Sequence, residues 1–195
     1  MKYLKDFREH FSEFPVFSVN DARVFLKQRK IGRQYLYLLL HNLLKRNEVT
    51  RITKGIYTFR KGTETACFAF SPSYHALQDA LSIHGLWEQE TNPILVTPRK
   101  IRSGARNTAI GTVIVHRIKR SMFFGFSQQK YAGAWIQVSD IEKTLIDFAH
   151  FNEPLSSEAL GEIKKRINKK TLRAYLKRTP ERTRKRVEKL LSLKE

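Results

Sequence analysis

The chain has 195 residues with 37 Lys and Arg against 18 Asp and Glu, a formal charge of +19, far above the magnitude of roughly 2–8 that keeps a small domain soluble, so an acidic partner is expected. A hydrophobic content of 41% with 13 Phe supplies a core and excludes a disordered basic tail, and a single Cys excludes a disulfide framework or a Cys-rich zinc site. No apolar run approaches the ~20 residues that span a bilayer, and Met1 to His10 lacks a signal-peptide core, so a cytoplasmic protein with no membrane partner is expected.

The charge is uneven along the chain. Residues 1–65 carry 14 Lys/Arg and 6 Asp/Glu, residues 66–150 carry 9 and 6, and residues 151–195 carry 14 and 6. Both ends are candidate polyanion surfaces, and the middle is a candidate scaffold.

Met1 to Phe11 sets Tyr3 or Leu4, Phe7 and Phe11 at helical spacing, which predicts an amphipathic helix closed by Pro15. Ser18 is a good N-cap for a short second helix, with Asp21 in its first turn and Lys27 near its end, matching the helix dipole. After Gly32, Leu36, Leu39 or Leu40, Leu43 and Leu44 recur at three and four residues and predict a third helix from Gln34 to Arg46. Its other face carries Arg33, Gln34, Tyr37, His41 and Lys45, which can hydrogen-bond to base edges or phosphates. The period then falls toward two: Val49 to Ile52 and Ile56 to Phe59 flank Thr53-Lys54-Gly55, a hairpin with Lys54 at its tip. Three helices and a basic hairpin follow the order of a winged helix-turn-helix, placed here at residues 1–62.

Gly62 to Thr65 reads as a polar joint, and residues 66–195 as a second unit of mixed α/β character with a basic helical end. The whole chain is therefore expected to be α+β. In that unit Cys67 to Phe70 is expected as a strand. Ser71-Pro72-Ser73 is expected to open a helix carrying Tyr74, Leu77, Ala80, Leu81 and His84, stopped by Gly85. Ile94 to Thr97, Thr112 to Arg117, Phe123 to Phe126 and Ala134 to Val138 read as strands of an antiparallel sheet. Ser139 is expected to cap a helix from Asp140 to Phe148, with Glu142 completing a capping box. Three basic helical stretches follow, from Ala159 to Ile167 and from near Thr171 and Thr179-Pro180; Leu172, Tyr175 and Leu176, then Val187, Leu190, Leu191 and Leu193, give the last two apolar stripes.

Residues Phe70 to Leu77, Leu81 to Leu86, Leu95-Val96-Thr97-Pro98-Arg99 and Val138 to Asp147 together resemble the AbiEi-type antitoxin and transcriptional regulator family, and Lys54-Gly55-Ile56-Tyr57 is similar to its wing turn. The similarity runs from about Ser18 to Phe151. It implies a winged helix that represses its own operon, joined to a domain that counteracts a nucleotidyltransferase-like toxin in a type IV system, in which the two proteins need not form a stable complex. Some members are solitary regulators, a reading that needs no toxin.

No catalysis, cofactor or metal is expected. Asp147 with Glu162 and Lys164 mimics a nuclease set, but residues two apart on a helix do not share a face. Cys67 lies among apolar neighbours and reads as packing. The candidate duplex contacts are therefore Arg33, Gln34, Tyr37, His41 and Lys45 in the groove, with Arg51, Lys54, Arg60 and Lys61 on the backbone. The tail offers Lys164, Lys165, Lys169, Lys170, Arg182, Arg184, Lys185 and Arg186, either as a second polyanion surface or as a solvated helix face. An antitoxin acting on RNA or protein, with DNA binding secondary, is the other reading of this middle and tail.

Overall fold

The computed structural model describes residues 3–89 and 91–192; Met1 of the first predicted helix and Leu193 of the last stripe lie outside the described residues. Helix α1 (Leu4–Ser12) buries Phe7 and Phe11 against β1 (Phe17–Ser18) and α2 (Val19–Lys27). Phe7 meets Phe17 and Phe25 edge-on at 5.6 and 5.7 Å between ring centres, the geometry aromatic quadrupoles favour. Ser18 and Asp21 form the full capping box that starts α2. Helix α3 (Arg33–Lys45) buries Leu36, Leu39, Leu40 and Leu43. At about 1.5–3 kcal/mol per buried side chain, those four leucines hold it firmly in place. Strands β2 (Thr50–Thr53) and β3 (Ile56–Thr58) close a hairpin whose Gly55 supplies a φ of +84°, and β1 joins them in an antiparallel sheet of order β1-β3-β2.

A single turn at Thr63–Thr65 leads to α4 (Ala66–Ala69), β4 (Tyr74–His75) and α5 (Leu77–Ile83). Then come β5 (Ile94–Thr97), β6 (Gly104–Thr108), β7 (Gly111–Arg117), β8 (Phe126–Tyr131) and β9 (Ala134–Ser139). The chain ends in α6 (Ile141–Phe151), α7 (Ser157–Arg166), α8 (Lys169–Leu176) and α9 (Glu181–Ser192). The six strands form one sheet of order β6-β7-β5-β4-β9-β8. One of its faces packs on the core of α6 to α9; the other packs on α4 and on Ile52 of the hairpin. The architecture is α+β. Among the described residues no helix is long and apolar enough to cross a membrane.

Several expectations are corrected. Cys67 to Ala69 is helical, not extended, with Phe70 just past the helix end: Ala66, Cys67 and Phe70 are buried while Phe68 and Ala69 are half-buried, a one-sided pattern that a four-residue apolar run does not disclose in sequence. Ser71-Pro72-Ser73 does not open a helix. Tyr74 and His75 pair with Val96, Leu95 and Val138 at the centre of the sheet, and the long-range ladder overrides the local signal. Phe123 to Phe126 is not a strand; Phe123 and Phe126 instead pack on the Tyr74 ring, and only from Phe126 does β8 begin. The sheet is mixed, with β5 parallel to β7 and β4 parallel to β9. Edge strands β6 and β8 are not foreseen in the sequence because Arg106, Asn107 and Ser127 to Lys130 carry no apolar alternation. The cap of α6 is Asp140, which accepts from the Lys143 amide at 2.7 Å, while the Ser139 hydroxyl bonds to the His75 carbonyl and Thr144. Glu142 caps nothing on its own helix; its carboxylate accepts from the Asn168 amide, ahead of α8.

Candidate nucleic-acid interface

Helix α3 divides its residues cleanly. Its leucine side is sealed, whereas Arg33, Gln34, Tyr37, His41 and Lys45 are all exposed, Tyr37 at 52%. Tyr37 and its exposed neighbour Leu38 are large apolar groups with no core to fill, and Leu38 fits contact with a thymine methyl. Unlike α2, α3 begins at Gly32 with no side-chain cap, which leaves first-turn amides free to meet a phosphate. Arg23 and Lys27 of α2 line a shallow pocket of about 300 Å³ with Arg33 at this end. Neither was expected from the sequence; their signal is a polar, basic outer face on the helix preceding α3.

The hairpin after α3 presents Lys54 and Arg51 to solvent, the Arg51 guanidinium donating to the Thr53 carbonyl at 3.4 Å. Lys61 is exposed. Arg60 is half-buried and donates to the Gly133 carbonyl at 2.9 Å, so it also ties the head to the β8–β9 turn. Arg8 and Glu48 form a two-toothed ion pair at 2.6 Å that fixes α1 to the segment after α3.

The tail cations are divided in use. Lys165 pairs with Glu162 at 2.7 Å, Lys185 pairs with Glu181 at 2.8 Å, and Arg186 donates to the Ala149 carbonyl at 3.1 Å. Lys164 is half-buried, while Lys169, Lys170, Arg182 and Arg184 are exposed. The structure does not gather the tail set with the α3 set through any contact among the described residues.

The ionisable groups of the body are mostly spent internally. Asp147 is fully buried between Lys143 and the Tyr74 hydroxyl, which donates at 2.9 Å; burial raises the Asp147 carboxyl, and the two donors pull it back. Glu162 sits on the surface with Lys165, apart from that core pair. Tyr175 donates to Asp140 at 2.7 Å and is pushed up to about 12 by burial and by that carboxylate. His75 is buried beside Asp79, with Nδ1 2.6 Å from the carboxylate. Burial pulls its imidazole down, but the hydrogen bond to the Asp79 carboxylate and its charge outweigh that and hold it at about 10. His84 ends α5 and bonds to the Ser139 carbonyl at 2.7 Å. Cys67 is buried, its thiol donating to the Glu64 carbonyl. Among the described residues no group of three His, Cys, Asp or Glu could hold a metal ion.

Comparison with known proteins adds the fold and no more. No protein-family model matches the chain, and no curated protein matches it. The crystal structure of the RV2827C protein from Mycobacterium tuberculosis is similar at a TM-score of 0.65 and 13% identity, over 90% of this chain and 71% of that one.

Proposed function

We propose that the first 62 residues are a winged helix-turn-helix that binds double-stranded operator DNA, and that the protein is a transcriptional regulator. The observation that carries this reading is the bare face of α3. Four leucines anchor the helix, yet five hydrogen-bonding side chains and a free helix start meet no partner among the described residues that would explain them, and the hairpin that follows exposes Lys54 at its tip. Arg33 and Gln34 suit the major groove, where a bidentate contact discriminates bases by about 1–3 kcal/mol. The experiment is selection of bound sequences from a random duplex pool, followed by titration of the full chain on the selected and scrambled duplexes. Arg33→Ala is expected to lose affinity for the selected site and little for the scrambled one; equal loss on both would remove Arg33 from base reading.

The AbiEi resemblance extends the proposal to autoregulation and to antitoxin activity of residues 66–195 against a nucleotidyltransferase-like toxin. That extension rests on the resemblance alone. Co-expression with an adjacent nucleotidyltransferase-like gene tests it: rescue of growth by the full chain carrying Arg33→Ala supports an antitoxin role separable from DNA binding, and failure of the wild-type chain to rescue refutes it.

A further inference from the structure

We infer that the end of the six-stranded sheet at which β5 and β7 finish and the β8–β9 turn lies is a binding surface for single-stranded RNA. From Thr91 to Ser139 the chain has no Asp or Glu but eight Lys and Arg, a segregation hidden by the near balance of the middle region. Topology collects these charges. Strands β5 and β7 are parallel, with Thr97 level with Arg117, so Arg99 and Lys119 leave the sheet at the same end. Strand β4 runs against β5 and β9 runs with β4, so β9 starts where β5 stops, and the 131–134 turn with Lys130 lies at that end too. Arg117, Lys119 and Lys130 are exposed and form no ion pair among the described residues, while Arg99, also exposed and without an ion pair, donates to the Ala69 and Ser71 carbonyls at 3.2 and 3.5 Å.

Trp135 supplies what a patch of charge alone lacks. It is the first outward residue of β9, 59% exposed between buried Ala134 and Ile136, and it is paired across the ladder with Lys130. Cross-strand partners share a face, so an indole and an ammonium stand side by side. An indole left this open is a platform for an unstacked base, and the ammonium beside it meets the adjoining phosphate. Duplex DNA keeps its base faces stacked and offers such a ring nothing, whereas RNA loops and ends present splayed bases. The surface includes no residue of α3 but adjoins the proposed duplex set at Arg60, which donates to the Gly133 carbonyl in the β8–β9 turn, so paired substitutions at Trp135 and Arg33 are what separate this inference from operator binding.

The test uses the full chain, a labelled 12-nucleotide oligouridine, the deoxy strand of equal length and a 20-base-pair duplex. Trp135→Ala, at an exposed position, is expected to weaken oligouridine binding about 5- to 150-fold, the range for loss of one stacked base, and to leave duplex binding unchanged. Lys119→Ala is expected to lower the salt slope for the RNA by about 0.7. Arg33→Ala is expected to leave RNA binding as it was. In a Trp87→Phe background, oligouridine is expected to quench Trp135 fluorescence. An RNA affinity within two-fold of wild type in Trp135→Ala overturns the inference, as does equal binding of the deoxy strand. Displacement of the RNA by polyglutamate at equal charge concentration assigns the surface to an acidic protein and also overturns it.

Discussion

Helices α3 and α6 both carry charges on an apolar frame, and they use them in opposite ways. In α6 every residue from Glu142 to Ala149 is buried, so Lys143, Asp147 and Glu142 are consumed by Tyr74, by each other and by the Asn168 amide. In α3 the buried residues are Leu36, Leu39, Leu40 and Leu43, and Arg33, Gln34, Tyr37, His41 and Lys45 are left to solvent. The difference teaches that a charge on a helix signals recognition only where packing leaves it without an internal task.

That contrast can be broken first at α6. Lys143→Ala strands the Asp147 carboxylate in the core and is expected to cost about 3–5 kcal/mol in urea unfolding, whereas Arg33→Ala on α3 should change stability by no more than about 0.5 kcal/mol. Comparable losses would mean that the polar side of α3 serves the fold as much as the charges of α6 do.

The next effect is a pH dependence confined to the body. The His75 imidazole is held at about 10, above its ordinary 6.5, so its contribution to stability is complete below about 6.5 and fades as the pH rises through 10. Unfolding midpoints from pH 6 to 11 should therefore fall more steeply for the wild type than for His75→Gln. Parallel curves would remove the imidazolium as the cause.

A smaller effect sharpens the head itself. Ser18→Ala removes the α2 cap and should cost about 1 kcal/mol in thermal or urea unfolding, while Gly32→Ser adds a capping hydroxyl to α3 and should stabilise it. If the open start of α3 meets a phosphate, the same Gly32→Ser change weakens duplex binding. A gain in both properties would show that the α3 start is idle in binding.

The smallest effect is at the hairpin. Lys54→Ala should weaken binding to all duplexes alike and lower the slope of log affinity against log salt by about 0.9, the value for one phosphate contact. An unchanged slope would place Lys54 off the DNA backbone.

Local pattern sufficed for the head. Its helices announce themselves by leucine and phenylalanine spacing, its α2 cap by Ser18 and Asp21, and its turn by Gly55; each is a signal between residues a few positions apart. The open face of α3 followed because polar residues at helical spacing opposite a leucine stripe have only one side to occupy. The body is another matter. Whether Tyr74 belongs to a helix or to a central strand depends on Val96 and on His75 meeting Val138, more than sixty positions away. The parallel pairings of β5 with β7 and of β4 with β9 are likewise decided by partners remote in the chain, whereas the edge strands β6 and β8 and the Trp135–Lys130 pair come from local hairpins whose polar residues give no apolar alternation to read. Strand pairing is a contract between distant segments, and a one-dimensional pattern carries only one side of it.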